Sequence, residues 1–193
     1  MTVTEALEKL KSYEQTSFAL KHAMGLLYYD GVTAAPKGAA AVRGDTTGEL
    51  SRIDYQLTTA PDTVEMLETL MAARTELDEI TRRKVEEYWR DYDRTRRIPE
   101  EEFVAYQRLS IKADDVWQTA KETNDFALFE PYLQEMFDTL KRFALYWEPD
   151  KAPYETLLDN YERGLTTAAC DTFFAALRQK LVPLIQKVSA HAG

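Results

Sequence analysis

The chain has 193 residues, enough for one domain with a real core, and its 45% apolar and 30% charged content is that of a globular protein rather than a disordered one. Its 33 acidic against 24 basic side chains give a formal charge of −9, a field that repels phosphate backbones and anionic headgroups and so argues against nucleic acid and membrane partners. Cys170 is the only cysteine, which excludes an intrachain disulfide and fits a reducing cytoplasm. The opening residues TVTEALEKLKSYEQ lack the basic start and unbroken apolar run of a signal peptide, and no stretch approaches the roughly 18 apolar residues of a membrane span.

Apolar residues recur at intervals of three and four, so the expected fold class is all-α, about eight helices with several long and antiparallel. A first long helix is expected from Thr4 to Val32, with Leu7, Leu10, Tyr13, Phe18, Leu20, Leu27 and Tyr28 mostly along one stripe, stopping at or before Pro36. A second runs from Gly38 to Thr58 through Val42, Leu50, Ile53 and Leu57. There Gly44 and Gly48 each weaken the helix by about 1 kcal/mol, and small residues at that spacing point to close helix packing. Pro61 with Asp62 and Glu65 starts a short helix to Ala73, and Glu76 to Arg96 reads as another with a charged outer face.

Pro99 followed by Glu100, Glu101 and Glu102 is a start signal for a helix carrying Phe103, Tyr106, Leu109, Ala113, Val116, Trp117 and Ala120. After a polar break at 122–125, Pro131 opens a helix through Leu133, Phe137, Leu140, Ala144 and Trp147, which Pro149 and Pro153 terminate. A short helix from Tyr154 to Glu162 should end at Gly164 in a left-handed cap. Thr166 or Thr167 then caps a last long helix whose buried stripe is expected to be Phe173, Phe174, Leu177, Leu181, Leu184 and Val188, with Pro183 kinking it. The whole chain reads as a single helical domain, 1–193, with an amino-terminal helical pair (1–60), a long-helix bundle (61–148) and carboxy-terminal helices (154–193).

Candidates for chemistry are few. The two histidines, His22 and His191, do not form H-E-x-x-H, and the acids that share a helix with His22, Glu14 and Asp30, lie two turns away, too far to share one ion. Cys170 has no histidine at local spacing and stands beside Phe173 and Phe174, so packing accounts for it better than nucleophilic catalysis. No glycine-rich phosphate loop occurs, and no Glu-x-x-His pair suits a di-metal bundle. The adjacent acids Asp114–Asp115, Glu86–Glu87 and Glu100–Glu102 diverge by about 100° per step on a helix and read as solvated surface. Arg94, Arg96 and Arg97 in DRTRRIP sit at a helix end and complement its dipole. Trp89, Trp117 and Trp147 recur on helical faces and read as core.

Three stretches in order resemble the amino-terminal part of the thermostable carboxypeptidase (Taq-type) family of zinc metallocarboxypeptidases. Tyr29-Asp30-Gly31-Val32-Thr33-Ala34-Ala35-Pro36, followed by GAAAVRGDTTGELSRI, looks like that family's aromatic-Asp segment ending in Met-Pro and its small-residue helix. WQTAKETNDFALFEPYL, from Trp117 to Leu133, is similar to its W-x-x-A-[RK] then D-F-x-x-F-x-P-x-L run. YETLLDNYERGLTTAACDTFFAALRQKLVPLI, from Tyr154 to Ile185, is the most specific. Tyr29 stands where tryptophan is usual, Ala35 where methionine is usual, and Arg163 where the family has proline.

The resemblance implies a nearly all-helical parent of about 500 residues that removes single carboxy-terminal amino acids from peptides. Its zinc or other divalent metal would be held by two histidines of H-E-x-x-H and a downstream glutamate. None of those positions exists in this sequence, nor do the family's later HPF, DxRxT and HESQ elements, so no catalytic, cofactor-binding or metal residue carries over. The implied role is a helical wall of the substrate groove, inactive alone. Its partners would be the remaining catalytic portion of the same polypeptide, peptide substrates and a second copy in a homodimer. The alternative is a standalone helical binding or dimerisation module derived from that family.

Overall fold

A computed structural model describes residues 1–36 and 38–191, and these contain eight α-helices, one 3-10 turn and no strand. Helix α1 (Val3–Thr33) starts one residue before its expected position because Thr2 and Glu5 form a capping box. The Glu5 backbone N–H donates to Thr2 Oγ1 at 3.2 Å, and the Thr2 N–H donates to Glu5 Oε2 at 2.7 Å. Helix α2 (Ala40–Thr59) leads through Ala60 into α3 (Pro61–Ala72), with proline at the first turn. Helix α4 (Glu79–Arg96) begins later than its acidic lead-in suggests. Asp78 is the cap, accepting from the backbone N–H groups of Ile80 (3.0 Å) and Thr81 (3.1 Å).

Helix α5 (Glu100–Thr123) opens on its three glutamates and closes at Asn124, the only non-glycine among the described residues with positive φ (54°). The polar break after it is not plain loop: Asp125 caps a 3-10 turn over Phe126–Leu128, accepting from Ala127 N–H at 3.1 Å. Helix α6 (Glu130–Trp147), the short α7 (Pro153–Leu158) and α8 (Thr167–Ser189) complete the chain. Helix α7 ends at Leu158 with Asp159 as a right-handed cap, so Gly164, at φ +77°, is not its left-handed cap but a turn residue leading into α8, which Thr166 caps by accepting from Ala169 N–H at 3.2 Å. Helix α8 continues through Pro183.

Internal contacts divide the chain into two compact units, 1–139 and 140–193, with the boundary inside α6. In the first, α1, α3 and α4 enclose a core of Ala6, Leu10, Tyr13, Met66, Leu67, Leu70 and Val85. Burying one such leucine in full contributes about 1.5–3 kcal/mol relative to exposure. The Tyr13 and Tyr88 rings meet edge-on at 5.3 Å, and Tyr88 Oη donates to Glu14 at 3.1 Å. Helix α2 packs chiefly on α5, and the glycines explain how. A Cβ on Gly48 would lie 2.5 Å from Arg108 Nε, and one on Gly44 would touch Ile111, so the missing side chains set the close approach that their spacing announces.

Three expectations about burial need correction. On α1 the buried line is Ala6, Leu10, Tyr13 and Ser17, while Phe18 and Tyr28 are each 70% exposed. One residue's step turns a side chain by about 100°, so Ser17 takes the inward position and Phe18 is carried out of the stripe. Trp117 is 44% exposed rather than core, its ring covered on one side by the Lys121 ammonium at 5.2 Å. The largest difference is in α8, which has no buried residue: Phe173, Phe174, Leu177, Leu181, Leu184 and Val188 all lie open. The stripe is formed as the periodicity demands, and no described element covers it.

In the second unit, Glu155 of α7 ties the start of α8, its carboxylate accepting from the Thr167 backbone N–H (3.2 Å) and hydroxyl. Phe143 is buried, with its ring centroid 6.4 Å from those of Tyr146 and Trp147.

Candidate functional site

A concavity of the first unit lies where α1, α2 and α5 meet, a cavity of about 300 Å³. Met24, Leu27 and Val32 of α1 and Ile111 of α5 give it an apolar wall, and Arg43 and Thr47 of α2 with Asp114 of α5 give it polar groups. Arg43 and Thr47 share a helix face because they are four residues apart. Gly31 makes room for the arginine: a Cβ there would lie 2.7 Å from Arg43 Nε and 2.9 Å from Cζ, so the guanidinium rests against bare α1 backbone. Thr47 is 8% exposed, and its Oγ1 is enclosed without a hydrogen-bond partner. Asp114 accepts from Gln118 Nε2 at 3.1 Å. Few polar groups on an apolar wall is the general form of a small-molecule site.

A second polar group joins α1, α2 and α4 through Lys21, Asp54 and Asp91. Burial raises the carboxyls of Asp54 on α2 and Asp91 on α4 above the ordinary aspartate range, and the Lys21 ammonium opposes the rise at both. Asp91 adds to the rise at Asp54, and Asp54 Oδ1 is enclosed without a partner. Burial likewise raises the Tyr13 phenol, against the pull of hydrogen bonds with Thr58 and Ser17. Tyr88 is pushed up to about 12 by burial and by its hydrogen bond to Glu14. Asp54 is half-buried while Asp91 and Lys21 reach solvent, and none of them lines the cavity, so these groups bear on stability more than on catalysis.

Comparison with known proteins identifies the family to which these helices belong. The sequence pattern of the carboxypeptidase Taq (M32) metallopeptidase family matches residues 9–193. The chain belongs to that family. Carboxypeptidase 1 of Bacillus subtilis is 33% identical over 189 residues, covering 94% of this chain and 38% of the relative. Thermostable carboxypeptidase 1 of Pyrococcus furiosus is 30% identical over 184 residues, covering 95% of this chain and 37% of the relative. Among solved structures, that of BsuCP matches with a TM-score of 0.88 at 33% identity over 97% of this chain and 37% of that one. Trypanosoma cruzi metallocarboxypeptidase 1 matches with 0.77 at 28% identity over 97% of this chain and 38% of that one. The M32 chain thus spans well under half the length of the relatives it matches.

M32 proteins are metallopeptidases, so the side chains able to hold an ion matter. Among the described residues no group of three or more His, Cys, Asp or Glu stands together where one ion could be bound, so these residues do not fit a catalytic metal. His22 stacks on Phe18 (5.7 Å, 11° between planes) on the exposed face of α1, and His191 Nδ1 lies 2.7 Å from the Lys187 carbonyl oxygen. Cys170 is a half-buried free thiol on α8. Arg94 and Arg96 lie in the last turn of α4. Arg96 pairs with Asp93, and Arg97 Nη2 lies 2.9 Å from Asp93 Oδ2, so these cations are engaged within their own helix end. Among the described residues no helix is long and apolar enough to cross a membrane.

Sequence patterns do not single out Arg43, Thr47 or Lys21, and they place Asp114 only in a solvated acid pair with Asp115. One signal was available: Arg43 is the lone cation in the small-residue run GAAAVRGDTTG, where a long charged side chain has room to lie along a neighbouring helix.

Proposed function

We propose that this chain is the amino-terminal, substrate-groove part of a metal-dependent carboxypeptidase that releases carboxy-terminal amino acids from peptides. Zinc or another divalent ion would be held by polypeptide this chain does not contain. The observation that carries the reading is the family match over 9–193 combined with a span of only 37–39% of the curated relatives. A metal-assisted hydrolysis needs an ion that polarises a carbonyl and lowers the pKa of a bound water, and the described residues supply no cage for it.

What these helices can contribute is shape. A rigid helical wall admits flexible chain ends, keeps folded proteins out and limits bulk water around a reacting centre built by other helices. The open apolar face of α8, with Phe173, Phe174, Leu181, Leu184 and Val188, is the surface against which the remaining catalytic portion would pack. Homodimer assembly and a cytoplasmic setting belong to the same proposal, the latter supported by the single cysteine.

The test is reconstitution. The chain with added zinc should release no amino acid from a blocked dipeptide. Mixing it with the part of Bacillus subtilis carboxypeptidase 1 that follows the matched segment should give a complex and metal-dependent release. Robust turnover by the chain alone would overturn the proposal, and a dimer through α8 that excludes the complementary part would favour a standalone dimerisation module.

A further inference from the structure

We propose that the cavity between α1, α2 and α5 is a binding site for a small carboxylate bearing an apolar group, of the kind presented by an apolar amino acid or by the end of a peptide. It needs only the described helices and stands apart from the reading of the whole protein's activity.

Charge is the first argument. Arg43 lines the cavity half-buried, and among the described residues no hydrogen bond or ion pair engages its guanidinium. An arginine brought partly out of water without a carboxylate is costly, and its planar fork of N–H donors matches a carboxylate in two parallel hydrogen bonds. Placement is the second. Gly31 is what lets the guanidinium lie against α1, since any Cβ there would come within 2.9 Å of its Cζ. Helix α1 thereby carries a residue of poor helix propensity at the one point where Arg43 must pass.

The third argument is an unmet polar group. The Thr47 hydroxyl, one turn from Arg43 on the same face, is enclosed with no partner on the protein, and a buried hydroxyl left this way costs about 1–3 kcal/mol. A ligand oxygen or the water it orders would supply the partner. Opposite polarity completes the set. Asp114 uses Oδ2 toward Gln118 and keeps acceptor capacity for an ammonium or amide N–H beside the carboxylate. Met24, Leu27, Val32 and Ile111 then receive the apolar side chain, in a volume of about 300 Å³ that suits one residue.

Titration calorimetry of the full 193-residue chain with L-leucine, N-acetyl-L-leucine and N-acetyl-L-leucinamide tests this. Saturable binding of at least one acid at about millimolar concentration is expected, with the amide weaker by about tenfold or more, the size of one lost charge-assisted pair. Leucine binding more tightly than its acetyl form identifies a free amino acid as the ligand, and the reverse identifies a peptide end; both support the site. Arg43→Gln should weaken binding by about tenfold or more and Arg43→Lys by less. Because Arg43→Gln can perturb packing, Gly31→Ala is the second variant. It favours the helix, so melting should be unchanged or raised, yet it displaces the guanidinium and should weaken binding comparably. No saturable binding by the unmodified chain up to about 50 mM, equal binding of acid and amide, or binding indifferent to both substitutions would overturn the proposal.

Discussion

Helices α3 and α8 carry the same kind of apolar spacing and meet opposite fates. In α3, Met66, Leu67 and Leu70 are fully buried, whereas in α8 Phe173, Phe174, Leu184, Ile185 and Val188 are all more than half exposed. Periodicity therefore specifies which face of a helix is apolar, while burial belongs to whatever lies across from that face. In the first unit the partners are present, with α1 and α4 closing over α3. For α8 no described element does so, and its stripe reads as half of an interface.

That contrast breaks most easily with paired truncations. Leu67→Ala should cost about 2–5 kcal/mol of stability in urea titration, whereas Leu184→Ala should change it by no more than about 0.5 kcal/mol. Equal losses would mean that α8 is covered in solution. A paired glycine test sharpens the same point inside the first unit. In Gly48→Ala the new Cβ meets Arg108 Nε at 2.5 Å and Cγ at 3.1 Å, so the arginine must shift from its place beside Asp45 and Glu49 and the variant should gain none of the stability that glycine-to-alanine usually brings a helix. Gly25→Ala has nothing within 4 Å and should instead stabilise α1 by up to about 1 kcal/mol in thermal melts.

The smallest effect concerns the carboxyls of Asp54 and Asp91. Burial raises Asp54 and Asp91, so what they contribute to stability is complete below the unfolded-chain pKa and is lost as pH rises through the raised, folded-state value. Asp54→Asn removes the charged form that burial penalises. It should melt higher than the unmodified chain at neutral pH, with the difference shrinking in acid where the aspartate is already protonated. A difference that grows in acid would show that Lys21 attraction, not burial, controls Asp54.

Much of the fold was legible in local chemistry. Pro61, Pro99 with its glutamates and Thr166 mark helix ends whose physics is contained within a turn, and Gly44 with Gly48 announced the close packing of α2 on α5. What was not legible depends on three dimensions. Ser17 displacing Phe18 from the buried line follows from helical phase over a 31-residue helix, and the exposure of Trp117 follows from what α5 does and does not face. The cavity was invisible for the same reason, since Gly31, Arg43 and Asp114 lie far apart in sequence and meet only when three helices do.

The proposal that the metal of this metallopeptidase family is held outside these helices is tested most directly by elemental analysis of the purified, dialysed chain. Substoichiometric transition metal is the result predicted. One zinc, cobalt or manganese ion per chain, retained through dialysis and lost on substitution of this chain's own histidines or acids, would contradict it.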